Sequence, residues 1–251
     1  MPRSPLVISH RTQAGTMPEN TLAGVDAALE AGVDGIEIDV RATSDGVVVL
    51  THDETLERVA GDARAVADLT YEELREVSLL PAHGISGQHV PTLAEVFERV
   101  AGRAIVIVEV KQSGIHELVA TEVRRAEAAG CTWIWAFDPA VGRECRRVLP
   151  EVPASLLVGP GSLERFGFPD TPIEIAVREG FAAVSWHHGL ADASSVDAAR
   201  HRGLASYCWT PDEPEDIARV IEAGVDGVCS NFPDRVQSTL TGLTKEARND
   251  G

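Results

Sequence analysis

The stretch Gly35-Ile-Glu-Ile-Asp-Val40 is an apolar run of the kind that forms a buried strand, and it contains two carboxylates, Glu37 and Asp39. Because the side chains of a strand alternate between its two faces, both carboxylates project from the same face. Two neighbouring acids in an apolar setting repel each other unless a cation lies between them. Hard divalent cations prefer oxygen ligands, so the stretch predicts a buried strand that carries metal ligands.

Helical patterns alternate with short apolar runs along the chain, and most of these patterns end at a glycine, which is typical of a parallel α/β protein. The helical patterns cover residues 21–31, 92–100, 116–129, 192–202 and 214–223. Nine apolar runs are candidate strands, one more than a (β/α)8 barrel needs. They cover residues 6–10, 35–40, 47–52, 104–110, 132–137, 154–159, 182–187, 204–209 and 227–230.

Turn chemistry removes one candidate strand from the barrel. Six residues separate Val40 from Val47, too few for the helix that joins two parallel strands. Asp45-Gly46 instead predicts a two-residue hairpin turn, and an antiparallel pair centred on this turn places Asp39 opposite His52. The second arm of the hairpin then carries the histidine back over the carboxylates.

We therefore predict an α/β fold, a TIM (β/α)8 barrel with a β-hairpin extension after strand 2 and a small insertion over the barrel mouth. The insertion would cover residues 53–90 and contain one helix, at 71–77. Since no linker rich in Pro, Gly or Ser divides the chain, residues 1–251 would form a single domain that ends in a polar tail at 240–251.

Net charge limits the partners that this chain can bind. Its 251 residues include 22 Lys and Arg against 39 Asp and Glu, which gives a net charge of −17. So acidic a surface disfavours nucleic acids and anionic membranes, and an anionic substrate needs a local cationic site. We expect a small-molecule substrate, no nucleic-acid partner and no stable membrane association, while the oligomeric state stays open.

Cysteine usage and the absence of an apolar leader favour a cytoplasmic protein. The four cysteines form no CxxC pair and are irregularly spaced, which is typical of reduced thiols: Cys131, Cys145, Cys208 and Cys229. The sequence contains no signal-peptide core and no run long enough to span a membrane.

Carboxylates at the ends of the predicted strands indicate a metal site. Active sites of such barrels lie at the C-terminal ends of the strands, where Glu109 joins Glu37 and Asp39. Three converging carboxylates predict one divalent cation, Mg²⁺ or Ca²⁺. The alternative is that each acid pairs with an arginine at the rim. Zinc is disfavoured because no His-x-x-x-His or His/Cys cluster accompanies the acids.

His10 and His52, at the same end of the barrel, are candidate catalytic residues. An unperturbed histidine titrates near pH ~6.5, which suits proton transfer at working pH. A lone histidine usually has a structural role. Two histidines beside a metal site make a catalytic role the favoured one. Arg11 and Lys111 either neutralise the carboxylates or hold a phosphate, and the two roles are compatible.

Five further polar or aromatic positions have less specific interpretations. Trp209 is either a core aromatic or the apolar wall of a substrate pocket, and these alternatives stay open. His187 and His188 fit a structural or rim role. Asp53 and Asp138 each fit a supporting or a capping role.

A series of ordered strings resembles the glycerophosphodiester phosphodiesterase family. No single string is decisive, but their order and spacing over nearly the whole chain are highly specific. The strings are His10-Arg11, Pro18-Glu-Asn-Thr21, Gly32-Val-Asp-Gly-Ile-Glu-Ile-Asp-Val40, Thr43-Ser-Asp-Gly46, His52-Asp53, Pro91-Thr-Leu-Ala-Glu95, Glu109-Val-Lys111, Trp209-Thr210 and Gly224-Val-Asp-Gly227.

This resemblance implies a TIM barrel with a bound divalent cation. It implies hydrolysis of a glycerophosphodiester to sn-glycerol 3-phosphate and an alcohol. It matches the family's metal ligands to Glu37, Asp39 and Glu109, and its catalytic acid–base pair to His10 and His52.

The resemblance also matches the family's phosphate contacts to Arg11 and Lys111, and a supporting carboxylate to Glu19. Two positions depart from the family pattern. Thr12 stands where glycine usually follows His-Arg, and Ser230-Asn-Phe-Pro233 stands where the family usually has Thr-Asp-Pro or a close variant. Neither departure touches a proposed ligand, so they bear on the substrate more than on the reaction.

Two other functions fit parts of the sequence. A phospholipase D-like hydrolase of lysophospholipids would need an exposed apolar or basic docking surface, which the short insertion and the charge of −17 disfavour. A non-catalytic barrel that binds phosphate or a polyol would have no need of His10, His52 and the three carboxylates.

Overall fold

A computed structural model describes residues 4–162 and 171–249, and at their centre lies a closed barrel of eight parallel strands. The strands are β1 Leu6–Ser9, β2 Gly35–Ala42, β3 Val48–Leu50, β4 Thr55–Leu56, β5 Asp62–Ala65, β6 Ile105–Val110, β7 Thr132–Ala136, β8 Ala154–Val158, β9 Ala183–His187, β10 Ala205–Trp209 and β11 Gly227–Ser230. β1 pairs with both β2 and β11, and this closes the barrel in the order β1-β2-β6-β7-β8-β9-β10-β11. The predicted TIM barrel is confirmed.

The described helices are α1 Leu22–Glu30, α2 Glu57–Ala60, α3 Tyr71–Arg75, α4 Leu93–Val100, α5 His116–Arg125, α6 Pro139–Val148, α7 Pro172–Glu179, α8 Ala193–His201, α9 Pro214–Glu222 and α10 Pro233–Asn249. α2 and α3 belong to the insertion after the hairpin, and the other helices cover the outside of the barrel. Residues 240–249, for which the sequence predicts a polar tail, belong to the last helix. No helix in the described ranges is long and apolar enough to cross a bilayer.

Alternation along the strands separates two apolar layers. On β2, Ile36 and Ile38 face the helices and join the large outer core, while Glu37 and Asp39 face the barrel axis. A smaller cluster that includes Trp135 fills the inside of the barrel. The carboxylates therefore lie at one end of a packed interior, where water does not screen their repulsion.

The hairpin after β2 is confirmed, but its predicted register is wrong by one residue. Val40 pairs with Leu50, and the Thr51 N–H donates to the Asp39 carbonyl at 3.0 Å, so Asp39 lies opposite Thr51 and not opposite His52. The physical reason is a three-residue loop in place of the predicted two-residue turn. Thr43 and Val47 close this loop by three hydrogen bonds, and Gly46 adopts φ +84° within it.

Residues 53–90 form the insertion, which packs beside the barrel mouth with a small apolar cluster of its own. This cluster contains Val49 of the hairpin together with Leu56, Val66, Leu69, Leu74, Leu79 and Val90. The predicted helix of the insertion is present as α3, where Thr70 and Glu73 form a capping box. β4, α2 and β5 are additional elements that the sequence analysis did not predict.

Thr12, one of the two departures from the family pattern that the sequence resembles, lies in the tight turn after β1. Its φ is +71°, a conformation that glycine adopts without strain, and its side chain is fully buried. The neighbour that makes room for it is Gly24 of α1, where an added Cβ would lie 2.1 Å from the Thr12 Oγ1. Thr12 and Gly24 are therefore a matched pair beneath the loop that carries Arg11.

Gly24→Ala is expected to lower the free energy of unfolding by about 1–3 kcal/mol, because the new methyl overlaps the Thr12 hydroxyl. Thr12→Gly in the same background should restore most of that loss, since it removes both the overlap and the positive φ of a β-branched residue. Urea unfolding of the two variants and the parent measures both effects. A Gly24→Ala protein as stable as the parent would show that the two positions are not matched.

Candidate active site

β2 and β6 bring three carboxylates together at the C-terminal end of the barrel. Asp39 pairs in register with Glu109, and Glu37 precedes Asp39 on the same face of β2. All three are buried, and one oxygen of each lies within 4.8 Å of the others. Oxygen ligands of one Mg²⁺ or Ca²⁺ ion lie up to roughly 5 Å apart, so a single cation can contact the three groups.

Positive charge reaches only part of this cluster. The Lys111 Nζ lies 2.5 Å from the Glu109 Oε1 and 3.1 Å from the Asp39 Oδ1. The Arg11 Nε lies 3.3 Å from the Asp39 Oδ2. Two cations facing three buried carboxylates leave one negative charge uncompensated, and neither cationic side chain contacts Glu37.

Glu37 shows that the cluster suits a further cation. Its Oε2 accepts a hydrogen bond from the Arg11 backbone N–H at 2.8 Å. Its Oε1 is buried and has no hydrogen-bond partner within residues 4–162 and 171–249. A buried carboxylate oxygen without a partner is costly, and an all-oxygen donor set is what a hard divalent cation binds. The residues present therefore fit Mg²⁺ or Ca²⁺.

The proton affinities of the carboxylates reflect the same shortage of positive charge. Burial, with repulsion from Asp39 and Glu109, raises the pKa of Glu37 well above its usual value. Burial also raises the pKa of Glu109 to about 7, although Lys111 opposes the shift. Burial acts the same way on Asp39, but Lys111 and Arg11 outweigh it and lower the Asp39 pKa. The raised pKa values of Glu37 and Glu109 thus reflect the missing positive charge.

His10 follows β1 and is held from behind by an amide. Its Nδ1 lies 2.8 Å from the Asn231 Oδ1, and the Asn231 Nδ2 donates to the Asp212 Oδ2 at 2.7 Å. Its other nitrogen, Nε2, lies 3.9 Å from the Glu37 Oε2. Burial and the charge of Arg11 lower the pKa of His10 to about 4, so the ring is neutral at working pH.

His52 follows the hairpin and is held by a carboxylate. Its Nδ1 lies 2.7 Å from the Asp53 Oδ1, while the Arg41 guanidinium donates two hydrogen bonds to its backbone carbonyl. Burial and Lys111 lower the pKa of His52, and the charges of Asp39 and Asp53 oppose that shift. The two histidines therefore differ in partner, since His10 contacts a neutral amide and His52 an acid.

A cavity of about 430 Å³, including its opening to solvent, contains most of the predicted site residues. Seven of the eight line it, and Asp39 is covered by its neighbours. The lining consists of His10, Arg11, Glu37, His52, Glu109, Lys111, Trp135, Phe137, Leu157, Trp209 and Thr210. One side is charged and the other apolar, an arrangement that suits a small polar anion with a carbon backbone.

Trp209 belongs to the apolar side of this cavity. Its ring meets Phe137 edge-on at 5.3 Å between centroids, and its Nε1 donates to the Ser185 carbonyl. The ring of His187, which does not line the cavity, meets Trp209 edge-on at 5.1 Å between centroids, and His188 pairs with Asp216 at 3.5 Å. The structure thus places the two later histidines at the rim, as the sequence predicts.

Asp138 caps α6, since its side chain accepts a hydrogen bond from the Ala140 N–H. Asn20, within the string Pro18–Thr21, was not predicted as a site residue. Its side chain donates to the Asp39 Oδ2 at 2.8 Å and accepts from the Asp39 N–H at 3.1 Å. The string Pro18-Glu-Asn-Thr21, one of those that carry the family resemblance, was the available signal for this contact.

Two other contributors to the site, Asp212 and Phe137, carry no signal in the sequence. A third, Asn231, belongs to a departure from the family pattern that we expected to bear on the substrate more than on the reaction, but it contacts the candidate catalytic residue His10. Asp212 and Asn231 meet His10 through the closure of the barrel, more than two hundred residues after it. Phe137 lies one residue beyond β7, where an aromatic is equally compatible with the core. Their roles depend on which strands become neighbours, and local sequence patterns do not encode that.

Comparison with known proteins identifies relatives of this chain. Residues 10–235 match the model of the glycerophosphoryl diester phosphodiesterase family. A glycerophosphodiester phosphodiesterase of Caldanaerobacter subterraneus subsp. tengcongensis is 31% identical, over 96% of this chain and 98% of the relative.

Two solved structures resemble the fold closely. One, from Silicibacter pomeroyi and assigned to the same class of phosphodiesterase, has a TM-score of 0.91 at 30% identity, over 97% of this chain and 95% of that chain. The other is a phosphodiesterase of Oleispira antarctica in complex with the product sn-glycerol-3-phosphate. Its TM-score is 0.83 at 23% identity, over 94% of this chain and 97% of that chain.

Divalent cations are expected to stabilise this protein more at about pH 8 than at about pH 5.5. Glu37 and Glu109 have raised pKa values, so the folded chain holds protons that the unfolded chain has released. Without a cation, stability from these groups is present below the unfolded pKa and is lost as the pH rises through about 7. A cation replaces the protons and therefore contributes most where they are gone.

Thermal unfolding with and without millimolar Mg²⁺ or Ca²⁺ at both pH values measures the effect. A cation present at ~100 times its Kd should add about 2.7 kcal/mol. The control is K⁺ at the same ionic strength. An equal shift in Tm at the two pH values, or one that K⁺ reproduces, would contradict binding at the raised-pKa carboxylates.

Proposed function

This chain belongs to the glycerophosphoryl diester phosphodiesterase family, and we propose that it hydrolyses glycerophosphodiesters with one divalent cation and two histidines of unequal role. Membership makes the chain a phosphoric diester hydrolase. The observation that supports the finer proposal is the cavity itself, where two basic side chains and two histidines surround one small space beside the cluster of three carboxylates.

Glu37, Asp39 and Glu109 would hold the cation, either Mg²⁺ or Ca²⁺. When bound, it supplies Lewis-acid stabilisation of negative charge on a phosphate oxygen. Lys111, which contacts two of these carboxylates, also lines the cavity and lies 5.6 Å from the centre of the Phe137 ring. Lys111 and Arg11 would thus orient the phosphate and share the charge that builds up on it.

Hydrogen bonding supports His10 as the general base. The Asn231 amide nitrogen donates to Asp212, so the amide oxygen faces the Nδ1 of His10, which must carry the proton of that contact. The Nε2, which lies toward Glu37, is then left with its lone pair. A neutral histidine in this tautomer can remove a proton from the attacking hydroxyl, which belongs either to water or to the glycerol of the substrate.

The partner of His52 supports the opposite role. A carboxylate on the Nδ1 of a histidine stabilises the imidazolium form, as the Asp53 Oδ1 does at 2.7 Å. Burial and Lys111 lower the pKa of His52, and the contact with Asp53 opposes that shift. We propose that His52 uses this support to carry a proton on its Nε2 and to deliver it to the leaving alcohol. The two histidines would exchange their protonation states in each turnover and recover them through solvent.

The family and the lining of the cavity support a proposal for the product. The Oleispira antarctica relative holds sn-glycerol-3-phosphate, and we propose the same product here. Trp209 and Phe137 would pack against the carbon backbone of the glycerol, opposite the charged side.

With four free cysteines, the chain suits a reducing compartment, so we propose that it acts in the cytoplasm.

Hydrolysis of lysophospholipids is the second candidate. An acyl chain needs apolar surface beside the site, and in the described part of the chain Leu80 and Val177 are the exposed large hydrophobic residues. Two separate side chains do not make a docking surface. The proposal therefore favours water-soluble diesters over lysolipids.

A matrix of substrates and metals is expected to show release of glycerol 3-phosphate from choline, ethanolamine, glycerol or inositol diesters. Lysophosphatidylcholine should react at least about tenfold more slowly, since no apolar surface lowers its barrier. Dialysis against EDTA should abolish the activity, and Mg²⁺ or Ca²⁺ should restore it. Binding of glycerol 3-phosphate without any hydrolysis would identify a non-catalytic barrel instead.

His10→Ala and His52→Ala are each expected to reduce turnover by ~10²–10⁴-fold while the fold survives. They should differ on the p-nitrophenyl ester of glycerol 3-phosphate, whose leaving group needs no proton. On this ester, the loss of turnover caused by His52→Ala should be at least about tenfold smaller than on the choline diester. The loss caused by His10→Ala should be the same on both substrates.

Steady-state kinetics on the choline diester and on the nitrophenyl ester measure both losses, with His201→Ala on an outer helix as the control. Recovery by His10→Ala in place of His52→Ala would reverse the two roles. Near-normal turnover of either variant on the choline diester would remove that residue from the mechanism.

A further inference from the structure

Arg58 of the insertion joins two loops of the barrel mouth. Its Nη1 and Nη2 donate to the two carboxylate oxygens of Glu19, at 2.7 and 2.8 Å. Its Nε donates to the Asp53 Oδ2 at 2.5 Å. Glu19 lies on the loop after β1 and Asp53 on the segment after the hairpin, so one guanidinium ties two separate parts of the chain together.

Asp53 is the link between this guanidinium and the cavity. One of its oxygens accepts from Arg58, and the other lies 2.7 Å from the Nδ1 of His52. The carboxylate cannot rotate without losing one of these contacts. Arg58 therefore fixes the plane of the group that in turn fixes the ring of His52.

We propose that Arg58, anchored on Glu19, is a positioning residue for His52 and acts through Asp53. This inference rests on the proposed function, because it concerns the proton that His52 would deliver. It also gives the insertion at residues 53–90 a part in the reaction, since α2 presents Arg58 to the barrel.

The geometry explains why the position would need arginine. Arg58 is the group that contacts both Glu19 and Asp53, while Arg11 lies 3.5 Å from Glu19 alone and His52 lies 2.7 Å from Asp53 alone. A guanidinium offers donors in a fixed fork, so it can bind Glu19 bidentately and still reach Asp53 with its Nε. A lysine ammonium at the same place has no such fork and would hold one carboxylate at a time.

The alternative is that Arg58 only attaches the insertion to the barrel. Its side chain is 47% exposed, and an exposed ion pair contributes little to stability. Arg64 in β5 offers a matched comparison, because it is another arginine of the insertion, is 53% exposed and pairs with Asp62 alone. A purely structural role would make the effects of the two arginines similar.

Arg58→Ala is expected to lower kcat on glycerophosphocholine by about 10–100-fold with little change in KM, because the ring of His52 loses its orientation. Arg58→Lys should lie between this variant and the wild type. On the p-nitrophenyl ester of glycerol 3-phosphate, the loss of kcat caused by Arg58→Ala should be smaller than on glycerophosphocholine. The factor by which it becomes smaller should be the same as for His52→Ala. Arg64→Ala should keep wild-type kinetics on both substrates.

A double-mutant cycle tests the route through Asp53. If Arg58 acts through this carboxylate, Asp53→Ala combined with Arg58→Ala should be no slower than Asp53→Ala alone. The inference would be overturned if the losses of the two single variants multiplied in the double variant. It would also be overturned if Arg58→Ala lost the same factor in kcat on both substrates, or if its kinetics were like those of Arg64→Ala. If Arg58→Ala does not fold, the same kinetic comparison on the two substrates is made with Arg58→Lys and Arg58→Gln.

Failure of the proposed function would look different. A wild-type chain that hydrolyses neither substrate would overturn the proposed function and this inference together. A wild-type chain that is active, with Arg58→Ala behaving as Arg64→Ala does, would overturn only the role of Arg58.

Discussion

Repulsion among three buried carboxylates is the constraint on which the barrel mouth depends. Glu37, Asp39 and Glu109 converge where water cannot screen them, and Lys111 and Arg11 compensate only part of their charge. Such a cluster persists when its remaining charge is compensated by protons or by a cation. The same shortage of positive charge would make the site able to bind a metal ion and, with it, a phosphate. The barrel contributes by holding the strands rigidly enough to keep the acids together.

Two different supports set the histidines apart. His10 is backed by an amide that Asp212 holds in one orientation, and His52 by a carboxylate that Arg58 holds. A neutral partner suits a ring that starts without an extra proton, and an acidic partner suits one that starts with it. Two imidazole rings at the barrel mouth would therefore serve as the general base and the general acid.

Much of this arrangement could be predicted from sequence, because it depends on alternation and on strand ends. Glu37 and Asp39 two residues apart on β2, and Glu109 at the end of β6, follow from strand periodicity and barrel closure. The hairpin register could not be predicted, since hydrogen bonds between Thr43 and Val47 favour a three-residue loop over the Asp-Gly turn. Arg58 and Asp212 could not be predicted either, because tertiary packing alone brings them to the site.

Calorimetric titration with Mg²⁺ and Ca²⁺ tests the central claim most directly, namely that the carboxylate cluster binds one cation. We expect one cation-binding site per wild-type chain. Binding should release protons from Glu37 and Glu109, whose pKa values are raised. Glu37→Gln, which keeps the shape and removes the charge, should bind at least about tenfold more weakly. No binding by the wild-type chain, or equal binding by Glu37→Gln, would contradict the account.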